Sequence, residues 1–124
     1  MTFLWGFSPR YVIYASIRKL GILYLNGEGV VQNYNKAIEL LKKLDDAYSQ
    51  SIIGFMYSKG LGVEQDNEQA VCWFELAASQ GDTYSQVNLG MLYANGLGVE
   101  QNYEKAKHWC EKAAKRNDVG VLRI

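Results

Sequence analysis

Apolar residues along this 124-residue chain recur three or four apart, in paired segments, and the pair occurs three times. The first segment of each pair covers about residues 11 to 25, 47 to 58 and 83 to 94. Take as origin the glycine within each, Gly21, Gly54 or Gly90. The fifth residue before it is Ser16, Ser49 or Ser85, and the one just before it is Leu20, Ile53 or Leu89. The third after it is Tyr24, Tyr57 or Tyr93. These positions form one stripe on a helix, here termed helix A. Glycine inside a helix costs about 1 kcal/mol relative to alanine. Its place on the stripe in every copy predicts a helix crossing with no room for a Cβ.

Helix A is expected to stop at Gly27, Gly60 or Gly96, residues suited to the left-handed position after a helix. Gly29, Gly62 and Gly98 turn the chain again, and Val30, Val63 and Val99 plug the loop into the core. A second helix, B, then begins at Asn33, Asp66 or Asn102, whose side chains can accept from first-turn amides. Glu68 and Glu104 lie in that turn, near the positive end of the helix dipole. Ala37, Ala70 and Ala106 are the small residues where B crosses A, and Leu40, Trp73 and Trp109 the large fillers. Gly81 is the stop for the second B helix.

The shared stretch is Gly-x-x-Tyr-x-x-Gly-x-Gly-Val, with copies 33 and 36 residues apart. That spacing suits a two-helix repeat, so the fold is read as all-α: a right-handed α/α superhelix of about three tetratricopeptide-like repeats. A single domain over residues 1–124 is expected. It has an irregular segment at 1–14, repeats at about 15–46, 47–82 and 83–118, and a truncated tail at 119–124. The first repeat lacks three residues between positions 38 and 45, nearly one helical turn, so its B helix should be shorter. Pro9, the only proline, separates helix A from an aromatic tip containing Phe3, Leu4, Trp5 and Phe7. That tip either folds back over the first helix or is a loose tail. At the other end no polar capping helix follows residue 118, whereas solenoids usually need one. Either the tail covers the last B helix, or that face meets another molecule, a second copy included.

Charge refines this picture only locally. Thirteen cations balance thirteen acids, so no general attraction to nucleic acid or to an anionic membrane is expected. Residues 60–104 nevertheless hold seven acids and no lysine or arginine. They are solvated helix starts and loops, or else a preference for a basic partner segment. Two cysteines, Cys72 and Cys110, are too few for a disulfide framework and point to free thiols in a reducing cytoplasm rather than a periplasmic or secreted setting. No apolar run approaches the roughly 20 residues of a membrane span.

The glycine motif, the Asn/Asp-x-x-x-Ala start of helix B, the tryptophan and the Ala-Ala-x-x-Gly ending resemble the Sel-one-like repeat family, over about residues 15–118. The resemblance implies an adaptor or scaffold for protein complexes, often in bacterial signalling. Serine stands where the family usually has alanine at the −5 position, and Asn117 replaces the turn glycine of the second copy. Cysteine-rich secreted members carry a disulfide in each repeat. This chain lacks those cysteines, so neither their extracellular location nor their proposed antibiotic binding carries over.

In stacked helix pairs the A helices line the inner surface. The residues expected there are Arg18 and Ile22, then Tyr48, Ser51, Phe55 and Lys59, then Tyr84, Val87, Met91 and Asn95. Tyrosine, phenylalanine and methionine are enriched at interaction cores, although each could instead pack within its own repeat. Catalysis has little support. The loop glycines follow no strand and precede no Lys-Ser or Lys-Thr, so they are not a phosphate loop. Cys72 and the single histidine, His108, are one repeat step apart with no orienting third group, and neither they nor Cys110 have metal-site spacing. No cofactor or metal is expected. The sequence thus points to a non-enzymatic module binding a protein or peptide, in the groove of the A helices or at the C-terminal end. A toxin-immunity inhibitor of the same fold, or a small-ligand binder or hydrolase using the groove, are the alternatives.

Overall fold

The computed structural model describes residues 9–117. These form six α-helices and no strand: α1 (Pro9–Asn26), α2 (Tyr34–Leu41), α3 (Ala47–Lys59), α4 (Asn67–Ser79), α5 (Thr83–Asn95) and α6 (Tyr103–Asn117). The odd-numbered helices are the A helices and the even-numbered ones the B helices. The expected fold-back of the aromatic tip and the truncated tail both lie outside the described residues. The chain divides into two compact units between Asp45 and Asp46, with α1 and α2 in the first and α3 to α6 in the second.

In the first unit α1 packs on α2. Helix α1 starts at Pro9, so residues 9 to 14, expected to be irregular, are helical. Proline is tolerated there because first-turn amides have no partner inside the helix. Ala37, Ile38 and Leu41 of α2 are buried, and a Cβ on Gly21 would lie 3.1 Å from the Leu41 side chain. Helix α2 has 8 residues against 13 in α4 and 15 in α6, as the missing turn requires.

In the second unit α3 pairs with α4 and α5 with α6, while α4 also packs on α5. Its core joins Ala70, Val71, Phe74 and Ala78 of α4 to Leu89 and Tyr93 of α5 and Ala106 of α6. Trp73 is only half-buried and the neighbouring Phe74 is the large buried side chain, which corrects the assignment of Trp73 as the filler. Trp109, also half-buried, packs against this cluster. The side chains facing the motif glycines stand one position further on: Leu41 at Gly21, Phe74 at Gly54 and Cys110 at Gly90. One residue rotates a helix position by about 100°, enough to change which side chain enters the crossing.

The three A–B loops are built alike. The amide of the N-cap residue donates to the motif tyrosine carbonyl at 2.9 Å in each: Asn33 to Tyr24, Asp66 to Tyr57, Asn102 to Tyr93. The N-cap side chains accept from Lys36 N, Gln69 N and Lys105 N at 3.0–3.1 Å. Gly60 and Gly96 have left-handed φ of 73° and 67° and donate to carbonyls of the last helical turn. A further clasp has no counterpart in the sequence reading. Gln32, Gln65 and Gln101 donate their side-chain amides to the carbonyls of Leu25, Ser58 and Ala94 at 2.9, 3.4 and 2.9 Å. Each offers a partner to a carbonyl that a helix end leaves unsatisfied.

Candidate functional site

Helices α3 and α5 both pack against α4, and the space between their exposed flanks is a groove of about 520 Å³. Five of the residues expected at a partner surface line it: Phe55 and Lys59 from α3, and Tyr84, Met91 and Asn95 from α5. Spacing explains the convergence, since side chains three or four apart share a helix face. Met91 is 57 % exposed and Tyr84 49 %, so both present apolar surface to solvent. The Tyr84 ring is held edge-on to the buried Phe74 ring, with centroids 6.1 Å apart.

The other expected residues stand elsewhere. Tyr48 and Val87 are exposed but do not line the groove. Ser51 is buried and its hydroxyl donates to the Tyr48 carbonyl at 2.8 Å, so it is not offered to a partner. Arg18 and Ile22 are half-buried on α1, in the first unit.

The sequence reading missed the polar part of the groove: Gln65, Asn67 and Asn88, with Leu97 beside them. Gln65 and Asn67 come from the loop and the first turn of α4, not from an A helix. Gln65 Nε2 donates to Asn67 Oδ1 at 3.1 Å, and Asn88 Nδ2 donates to the Tyr84 carbonyl at 2.8 Å. Chemically the lining combines the side-chain amides of Gln65, Asn67, Asn88 and Asn95 with phenylalanine, tyrosine, methionine and leucine side chains and one cation, Lys59. Amides both donate and accept, as an extended peptide backbone does.

No other arrangement among the described residues competes as chemistry. No group of His, Cys, Asp and Glu there could hold a metal ion. Cys72 and Cys110 are free thiols. His108 is exposed and stacks edge-on to Trp109, with centroids 5.2 Å apart. The Tyr93 hydroxyl donates to Glu75 Oε2 at 2.9 Å, and burial, then that hydrogen bond, raise its pKa above the ordinary tyrosine value. None of the described helices is long and apolar enough to cross a membrane.

Helix pairs with a shared loop and cap geometry define a tetratricopeptide-like repeat protein. The family model of the Sel1 repeat matches residues 15–44, 47–82 and 83–118, and the chain belongs to that family. Sel1 repeats are in general protein–protein interaction modules. Among solved structures, the chain is similar to c5321, a protective antigen of uropathogenic Escherichia coli strains with an SLR fold. The identity is 37%, over 87% of this chain and 24% of that one, with a TM-score of 0.83. It is also similar to a Sel1 repeat protein of Oxalobacter formigenes, with 30% identity, 90% and 47% coverage and a TM-score of 0.82. Cysteine rich protein B of Helicobacter pylori shares the fold at 21% identity, with 91% and 94% coverage and a TM-score of 0.68. The chain thus spans less than half the length of the first two structures. No curated protein matches it.

Proposed function

We propose that this chain is a non-enzymatic interaction module that holds an extended segment of a partner protein in the groove between α3 and α5. The observation that carries the reading is the joint lining of one groove by Phe55, Tyr84 and Met91 with Gln65, Asn67, Asn88 and Asn95. Apolar side chains of the segment would rest on Phe55 and Met91, its backbone would meet the amides, and an acidic residue would suit Lys59. A bacterial regulator and an immunity-type inhibitor would use such a surface in the same way. Two free thiols suit a reducing cytoplasm.

Selection of peptides from a random library on the purified chain tests this reading. The selected peptides should lose binding to a Phe55→Ala, Tyr84→Ala, Met91→Ala variant whose helical circular dichroism is intact. Turnover of a small substrate that stops on changing Cys72 or His108 would sink it.

A further inference from the structure

Given the reading of the α3–α5 groove as a peptide site, on which this inference rests, we propose that Met91 makes the site sensitive to oxidation. Peroxide converts the Met91 thioether to the sulfoxide, and the groove then releases its partner segment. The position one residue after the motif glycine is Ile22, Phe55 or Met91 in the three repeats. All three side chains are large and apolar, but only methionine carries a sulfur that takes up oxygen. Ile22 and Phe55 are half-buried, whereas Met91 is more than half exposed. Met91 lines the groove together with Phe55 and Tyr84. The other methionine among the described residues, Met56, is fully buried, so peroxide in solution does not reach its sulfur in the same way. Cys72 and Cys110 are exposed thiols, but neither lines the groove. Of the sulfur-bearing side chains among the described residues, Met91 is therefore the one placed both to meet an oxidant and to touch the partner.

The step is a two-electron oxygen transfer. A sulfur lone pair of Met91 attacks one oxygen of hydrogen peroxide, an S–O bond forms and the O–O bond breaks. The transferred oxygen gives its proton to the departing hydroxide, which leaves as water. Sulfur is oxidised and the peroxide reduced, with no other reactant. The product replaces a flexible apolar side chain by a polar, chiral one. In the open groove water satisfies the new S–O oxygen. A partner segment that lays an apolar side chain on Met91 strips that water away, and a buried polar group without a hydrogen bond is unfavourable. The same segment on the thioether meets a soft apolar surface that adapts to its shape. Oxidation thus acts against the bound state and leaves the free state solvated. Because Met91 points its side chain to solvent and not into the core cluster, the helices should survive the change.

The test uses the full chain and a library-selected peptide that contains no methionine or cysteine and that the triple groove variant fails to bind. The chain is treated with hydrogen peroxide, the peroxide is removed with catalase, and binding is measured by fluorescence anisotropy. Peptide mass spectrometry follows the gain of one oxygen at Met91. Affinity should fall at least about tenfold, with helical circular dichroism unchanged. Dithiothreitol, which reverses thiol oxidation to disulfide or sulfenic acid, should not restore it. The two methionine sulfoxide reductases, one for each sulfoxide epimer, should. Met91→Leu and Met91→Phe, the latter carrying the residue of the second repeat, are each compared with themselves before and after peroxide. Whatever their starting affinity, neither should lose more on treatment. Tight binding by a chain oxidised at Met91, recovery with dithiothreitol alone, or an equal loss in the two variants overturns the proposal and leaves the groove as a peptide site. If no library peptide depends on the groove residues, the peptide site itself falls and the proposal with it.

Discussion

Gly54 of α3 lies against the Phe74 ring of α4 so closely that a Cβ would stand 2.8 Å from two ring carbons. Helical Gly→Ala substitution ordinarily stabilises by up to about 1 kcal/mol. Here the ring is fully buried and cannot yield without disturbing the core. Overpacking of that kind costs roughly 1–3 kcal/mol. Gly54→Ala should therefore lower stability in urea unfolding. Phe74→Leu in the same chain should recover part of the loss, since leucine stands at the equivalent place facing Gly21. A double-mutant cycle with no coupling between the two sites would contradict the close crossing.

That crossing also shows what the sequence could and could not tell. The spacing of Gly21, Gly54 and Gly90 announced a close helix contact, and the glycine-rich loop with Asn33, Asp66 and Asn102 announced the turn and the caps, because each depends on local backbone chemistry. The partner of the glycine was not legible. Trp73 and Phe74 are adjacent, both large and apolar, and only the packed orientation of α4 decides which of them enters. The groove was half legible for a similar reason. Phe55, Tyr84 and Met91 share a face defined by helical spacing, whereas Gln65 and Asn67 reach the same space through a loop whose path no periodicity describes. Ser51 shares the helical spacing of Phe55, yet its hydroxyl bonds back to its own helix.

Alkaline stability should depend on Tyr93. Burial and the bond to Glu75 raise its pKa in the folded chain, while an unfolded tyrosine titrates near about 10. Between those two values the folded chain binds the extra proton, so stability is fully present below about 10 and is lost as pH rises through the folded value. Tyr93→Phe removes this term. Its melting temperature should fall less steeply across that alkaline range than that of the parent. At neutral pH it should cost about 1 kcal/mol for the lost hydrogen bond. Parallel pH profiles would show that Tyr93 does not carry the dependence.

The glutamine clasp is testable at one loop. Gln101 Nε2 donates to the Ala94 carbonyl at 2.9 Å and to the Tyr103 hydroxyl at 3.0 Å, tying the loop to the end of α5. Gln101→Ala should cost about 1 kcal/mol. The loss should be local, appearing as faster amide hydrogen exchange from residue 95 to 102 with little change in the α4 core. A loss spread evenly over the second unit would mean that the clasp supports the whole fold and not the loop.

The second loop glycine gives a comparison in which backbone strain is held constant. Gly29 and Gly98 occupy the same motif position and both have a φ of 77°, in the left-handed region that side chains disfavour. Alanine at either site carries the same conformational penalty, roughly 1–2 kcal/mol. Their surroundings differ. A Cβ on Gly29 would meet nothing within 4 Å, whereas on Gly98 it would collide with the backbone carbonyl of Asn67, the first residue of α4. Backbone at a helix start cannot turn aside as a long side chain can. Gly98→Ala should therefore lose the strain term and a further overpacking term of roughly 1–3 kcal/mol. Because the two sites lie in different units, each loss is best read from hydrogen exchange in its own unit, not from a single melting curve. If Gly98→Ala costs no more than Gly29→Ala, the third repeat's loop does not press on α4, and the seam between the second and third repeats is looser than their shared core implies.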